Sequence, residues 1–154
     1  MPWAIEWEGL DDAERLAARA AAALLALRAF WPKVVPVFIG WMREQFETEG
    51  RFGGSPWARL SPTYAAYKAV ARPGRGILVF DGLLRGAASS PRRSVTATTM
   101  TLTISDPKAA FHQEGTTRMP ARPILFGDPL PRAAAADIER IAEEYVEEIL
   151  SRIR

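Results

Sequence analysis

The chain has 154 residues, with 20 basic and 18 acidic side chains, one histidine and no cysteine. That length suits one domain able to bury roughly 70% of its unfolded surface. The missing cysteines exclude disulfides, thiolate metal sites and cysteine nucleophiles, and a single histidine argues against an all-protein zinc centre. The net charge of +2 conceals a segregation: residues 1–50 sum to −3, residues 51–93 to +7 and residues 94–154 to −2. A middle segment this basic points to a polyanion or an acidic protein surface as partner, against the plainer reading of solvated arginines in loops. The N-terminus lacks the basic and apolar regions of a signal peptide. The apolar run Ala20 to Ala26 is far shorter than the ~20 residues of a membrane span. A soluble, intracellular product is expected.

Trp3, Ile5 and Trp7 alternate with Ala4 and Glu6, a period of two that predicts a short strand with its aromatics on one face. Asp11 and Glu14 form a capping box for a helix starting near Asp12. Leu16, Ala20, Ala23, Leu24, Leu27 and Trp31 continue it at helical spacing, and Pro32 is expected to end it. A second helix is expected near Val34, with Pro36 in its first turn and Gly50 as its stop. Its large apolar groups, Val35, Phe38, Ile39, Trp41, Met42 and Phe46, imply burial on more than one side.

Gly53, Gly54 and Pro56 mark a turn, after which Trp57 and Leu60 read as anchors to the core. Ser61 and Pro62 are an N-cap and first-turn pair for a short helix carrying Tyr64, Tyr67 and Lys68. Residues 72–76 and 89–93 read as two mobile arginine loops. Neither is a phosphate-binding loop, because no Gly-Lys-Ser/Thr follows. Ile77–Phe80 reads as a short strand, and Asp81-Gly82 as a turn into another short element from Leu83. From Ser94 to Ser105 the β-branched residues predict strand. Val95 and Ala97 have one parity and Met100, Leu102 and Ile104 the other. A hairpin turning at Thr98 and Thr99 reconciles them, and a bulged long strand is the alternative.

Asp106 and Pro107 start a short helix expected to end at Gly115. Pro120 and Pro123 keep the next segment extended, and Ile124–Phe126 is placed at a sheet edge. The last helix puts Ile138, Ile141, Ala142, Tyr145, Val146, Ile149, Leu150 and Ile153 on one face and is about 35 Å long. Glu143, Glu144, Glu147 and Glu148 crowd the other face as like-charged i,i+4 pairs. That self-repelling face is expected to meet the basic middle of a neighbouring copy.

His112, Gln113, Glu114 and Arg122 look at first like a reactive cluster. No Gly-x-Ser-x-Gly elbow exists to supply a serine nucleophile. The carboxylates lie on one helix face and at the N-terminal cap rather than across a cleft. His112 reads as structural or interfacial. Arg122, held between Ala121 and Pro123, is expected to donate to carbonyls of an adjacent loop. An enzyme is the weakest class, and no cofactor is expected.

An ordered set of short motifs remains. It runs Phe52-Gly53-Gly54, Trp57, Leu60-Ser61-Pro62, Lys68, Ile77-Leu78-Val79, Asp81-Gly82-Leu83-Leu84 and a Thr-rich strand pair. Phe111-His112-Gln113-x-Gly115, Pro120-Ala121-Arg122-Pro123 and an amphipathic C-terminal helix follow. This set resembles the tailed-phage virion morphogenesis family, which includes tail-completion and neck proteins, over roughly the last two thirds of the chain. The resemblance implies an α+β subunit of a ring, a hexamer, at the head–tail junction of the virion, with no catalytic residue. The ring is a tail-completion, tail-terminator or head–tail adaptor ring, assembled in the host cytoplasm. Its implied partners are copies of itself, head-completion or adaptor proteins, and tail-tube or tail-terminator proteins, with room for DNA in the lumen.

The expected architecture is one α+β domain, 1–154. Its N-terminal helices and long C-terminal amphipathic helix pack on a small, mainly antiparallel sheet. The candidate interface residues are Arg72, Arg75, Arg85, Arg92, Arg93, His112, Arg122, Glu144 and Glu148. The competing reading is a DNA-binding protein that uses the basic 51–93 segment.

Overall fold

A computed structural model describes residues 10–25, 27–125 and 129–153. The period-two segment Trp3–Trp7 lies outside them. The chain is α+β. In order come α1 (Leu10–Leu25), a 3-10 turn (Leu27–Ala29), α2 (Trp31–Glu47), a second 3-10 turn (Arg51–Gly53), α3 (Pro62–Ala71) and α4 (Leu83–Ser89). Strands β1 (Arg92–Val95) and β2 (Met100–Thr103) follow, then α5 (Lys108–Glu114) and α6 (Arg132–Ile153). The sheet is one antiparallel hairpin, so the helices pack mainly on one another.

Helix α2 is the hub, touching α4 and α6, while α1 packs on α6. Pro32 opens α2 instead of closing α1, because a first-turn proline gives up no intrahelical hydrogen bond. Pro36 therefore lies inside the helix. One core cluster joins Trp41, Met42 and Phe46 of α2 to Trp57, Val79, Leu84, Ala88, Ile124 and Ala134. A second joins Phe30 and Val34 to Ile141, Tyr145 and Ile149 of α6. Trp41 Nε1 donates to the Asp137 carboxylate at 3.0 Å, tying α2 to α6.

The hairpin reconciles the two parities. Val95 pairs with Met100 and Arg93 with Leu102, so apolar residues of opposite parity share a face. The turn spans Thr96–Thr99, with Thr96 N donating to Thr99 O at 2.8 Å. It needs no glycine because the Thr96 hydroxyl accepts from the main-chain N–H of Thr98 and Thr99.

Three local expectations are corrected. Residues 77–80 form turns, not a strand, with Leu78 at φ +61°. Arg92 and Arg93 stand on β1 rather than in a loop. Ile124 and Leu125 join no sheet edge; their N–H groups donate to Gln113 Oε1, both at 2.9 Å. Helix α6 has 22 residues, about 33 Å. Two glutamates of its acidic face, Glu144 and Glu148, find counter-charges within the chain. Arg140 pairs with Glu144 at 3.0 Å, and Glu148 pairs with Lys33 at 2.8 Å and also with Arg152. Cations one turn away along α6, and Lys33 at the start of α2, supply the counter-charge within the chain. These same contacts hold the Glu148 carboxyl below its ordinary pKa, the Lys33 hydrogen bond first and the Arg152 charge next.

Candidate functional site

The segment 111–125 is built around Gly115. This residue caps α5 at φ +77°, and a Cβ there would lie 2.8 Å from Ala121 N. The close approach lets Arg122 N donate to the His112 carbonyl at 2.7 Å and folds the proline-rich segment back over α5. Gln113 fastens the fold-back: its Oε1 accepts the two N–H groups named above, and its Nε2 donates to Leu125 O at 2.8 Å. The Pro123 carbonyl then takes two side-chain donors, Gln45 Nε2 at 2.9 Å and Trp57 Nε1 at 2.8 Å. Gln45 Oε1 accepts from Gly53 N at 2.8 Å.

Arg122 is only 4% exposed. Its Nε donates to Ala58 O at 2.7 Å and its Nη2 to Arg59 O at 3.0 Å. Burial lowers its pKa from the ordinary guanidinium value, and the two carbonyls supply the hydrogen bonds that water would otherwise give. Gln45, Trp57 and Arg122 spend their hydrogen bonds on main-chain atoms and so fix the shape of the corner.

The outer side of this corner is one wall of a groove of about 720 Å³. The other walls come from α3, the turn 78–81 and α4. Tyr64, Tyr67, Leu60, Leu78 and Phe80 make it largely apolar. Arg59, Lys68, Lys108, Arg118 and Arg122 line it as cations, against one carboxylate, Asp81. Lys68 is buried and its ammonium donates to Gly76 O. Desolvation lowers its pKa, Glu49 opposes that, and Arg122 adds to it. Arg59, Lys108 and Arg118 are exposed and ion-pair with no described residue. Asp81 is held low chiefly by the Leu83 N–H it accepts at 2.9 Å.

His112 also lines the groove. Desolvation first, then the Arg122 charge, lower its pKa, while Asp106 opposes them. Its Nδ1 is buried without a hydrogen-bond partner. No serine, carboxylate or second histidine is bonded to it among the described residues, which form no cluster of three or more His, Cys, Asp or Glu side chains fit for a metal ion.

The sequence-predicted residues divide accordingly. His112 and Arg122 meet at the groove. Arg72 lies just outside its lining, with its guanidinium 4.8 Å from the centre of the Phe80 ring. Arg75, Arg85 and the β1 pair Arg92 and Arg93 are exposed and do not line it. Glu144 and Glu148 belong to α6 and are already paired there. The loop 72–76 is fastened by the Arg72 ring contact, the Lys68 bond and Ile77 N donating to the Glu49 carboxylate at 2.8 Å.

Sequence reasoning passed over Gln45, although its position one helical turn after Trp41 on the apolar stripe of α2 marks it as a buried polar group. It also passed over Arg59, Phe80, Lys108 and Arg118, which carry no motif and converge only through the fold. Compared with protein-family models, curated proteins and solved structures, the chain matches none.

Proposed function

We propose that the chain is a structural subunit of a tailed-phage virion, assembling with copies of itself into a ring at the head–tail junction and completing the tail for attachment. The observation that carries this reading is the use made of the polar residues in the resembling motif. Gln113 and Arg122, with Trp57, direct their polar atoms onto main-chain groups and stiffen a corner. On α3, α4 and α5 large apolar side chains are left in solvent: Val70 is 86% exposed, Leu83 65% and Phe111 57%. Stiff shape and exposed apolar area are what a subunit needs to fit its neighbours. No helix among the described residues is long and apolar enough to cross a membrane.

The test is light scattering and negative-stain imaging of the purified chain, with mass spectrometry of phage particles. Rings, or the chain present in particles, are expected. A chain that forms no rings and is absent from particles overturns the proposal.

The DNA-binding reading has one observation in its favour, the exposed adjacent pair Arg92 and Arg93. Adjacent strand residues point to opposite faces, so the pair does not make a single phosphate-gripping patch. Binding to duplex DNA that falls steeply between low and moderate salt would restore that reading.

A further inference from the structure

We propose that the groove between α3, α4 and α5 receives the acidic, tryptophan-bearing segment Trp3–Glu8 of a second copy of this chain. The proposal deepens the ring reading, on which it rests for the supply of neighbouring copies, by naming what one copy offers the next.

Charge complementarity comes first. The groove carries five cationic side chains against one carboxylate, and Arg59, Lys108 and Arg118 are exposed without an ion-pair partner among the described residues. Residues 1–14 hold five acidic side chains and no basic one. On the acidic face of α6, the other candidate, Glu144 and Glu148 are already paired with Arg140, Lys33 and Arg152.

Chemical pattern comes second. The groove sets apolar side chains among cations, of which Arg59, Lys108 and Arg118 are exposed. In the segment, Trp3, Ile5 and Trp7 alternate with Ala4, Glu6 and Glu8. In extended form, a length of about 20 Å, such a segment would offer large apolar groups on one side and carboxylates on the other, the two kinds of contact the groove lining can meet. Tryptophan is the residue that gains most from such a seat.

Two observations favour a peptide over a single-stranded nucleic acid. Base stacking needs free aromatic faces, and Phe80 is engaged by Tyr67, with centroids 6.2 Å apart and planes 14° apart, and by the Arg72 guanidinium, which leaves only Tyr64 and Tyr67 as exposed rings in the groove. Val70, Leu83 and Phe111, on the three helices that flank the groove, are exposed and apolar, which suits a protein partner. A second copy is favoured over the same copy because α1, which follows the segment, packs on α6, and no groove-lining element makes substantial contact with it.

The experiment uses the full chain carrying Glu6→Lys and Glu8→Lys, so that its own segment does not compete, and a fluorescein-labelled peptide of residues 1–14. Anisotropy should show binding that weakens roughly tenfold or more when Arg59→Glu and Arg118→Glu are added. A peptide with lysines at positions 6 and 8 should bind the reversed groove in a chain that keeps Glu6 and Glu8, whose own segment does not compete there. Both arginine side chains are exposed, and Tyr67→Ala offers a second, uncharged lesion with the same expected direction.

No binding, or binding indifferent to these changes, overturns the inference. So does an oligothymidylate that binds through the same residues while the peptide does not. Rings that persist with the reversed groove sink this inference and leave the ring reading standing. Groove-dependent peptide binding without rings, and without the chain in particles, does the converse.

Discussion

Between α2 and α6, Phe30, Val34, Ile141, Tyr145 and Ile149 meet side chain to side chain. Around Pro123 the chain is held instead by Gln45, Trp57, Gln113 and Arg122 reaching main-chain atoms. The first region is fixed by volume and periodicity, which many apolar residues can satisfy. The second is fixed by a few directed hydrogen bonds from particular side chains. The difference shows where this molecule keeps its precision: the helices supply stability, and the corner holds the wall of the groove in place.

Arg122→Met breaks that comparison most severely. It leaves the Ala58 and Arg59 carbonyls without their charged donor and should cost about 3 kcal/mol in denaturant unfolding. Arg122→Lys should recover little, because an ammonium cannot reproduce the fork. A loss below about 1 kcal/mol for Arg122→Met would place the corner in the same class as the helical layer.

Gly50→Ala comes next. Gly50 sits at φ +91°, and a Cβ there would come within 2.6 Å of the Trp57 ring and 2.8 Å of Ser55 O. About 2 kcal/mol of destabilisation is expected, with a shift in tryptophan fluorescence as Trp57 moves.

Ile141→Val, in the helical layer, should cost only about 1 kcal/mol. A larger loss would show that the layer is as exacting as the corner.

The smallest effect concerns His112. Its pKa is lowered by desolvation and by Arg122, so the unfolded chain binds the proton more readily than the folded one. Stability is then complete above the ordinary histidine pKa of about 6.5 and declines as the pH falls below it. The difference in stability between pH 7.5 and pH 5 should be smaller in His112→Gln than in the parent chain. Identical pH profiles would show that the burial of this ring has no energetic consequence.

Much of the frame was legible beforehand. The i,i+3/i+4 pattern of α6, the Ser61-Pro62 start of α3 and the Gly115 end of α5 are local signals, and the fold follows them. Pro32 misled because the same residue that ends one helix is also suited to begin the next, and only packing against α6 decides between the two. Charge spacing along α6 does not show Lys33 arriving from α2 to meet Glu148.

Amino-acid order alone determined the α+β class, the amphipathic helices and the absence of thiol chemistry, since these depend on composition and on periods of two and 3.6 residues. The tertiary structure alone decided that Gln45, Trp57 and Arg122, up to 78 positions from their partners, close on one corner. It alone also gathered Arg59, Tyr67, Phe80, Lys108 and Arg118 into one groove. The reason is physical: hydrogen bonds and charge fields act through space at a few ångströms, and separation along the chain carries no record of which distant residues will come that close.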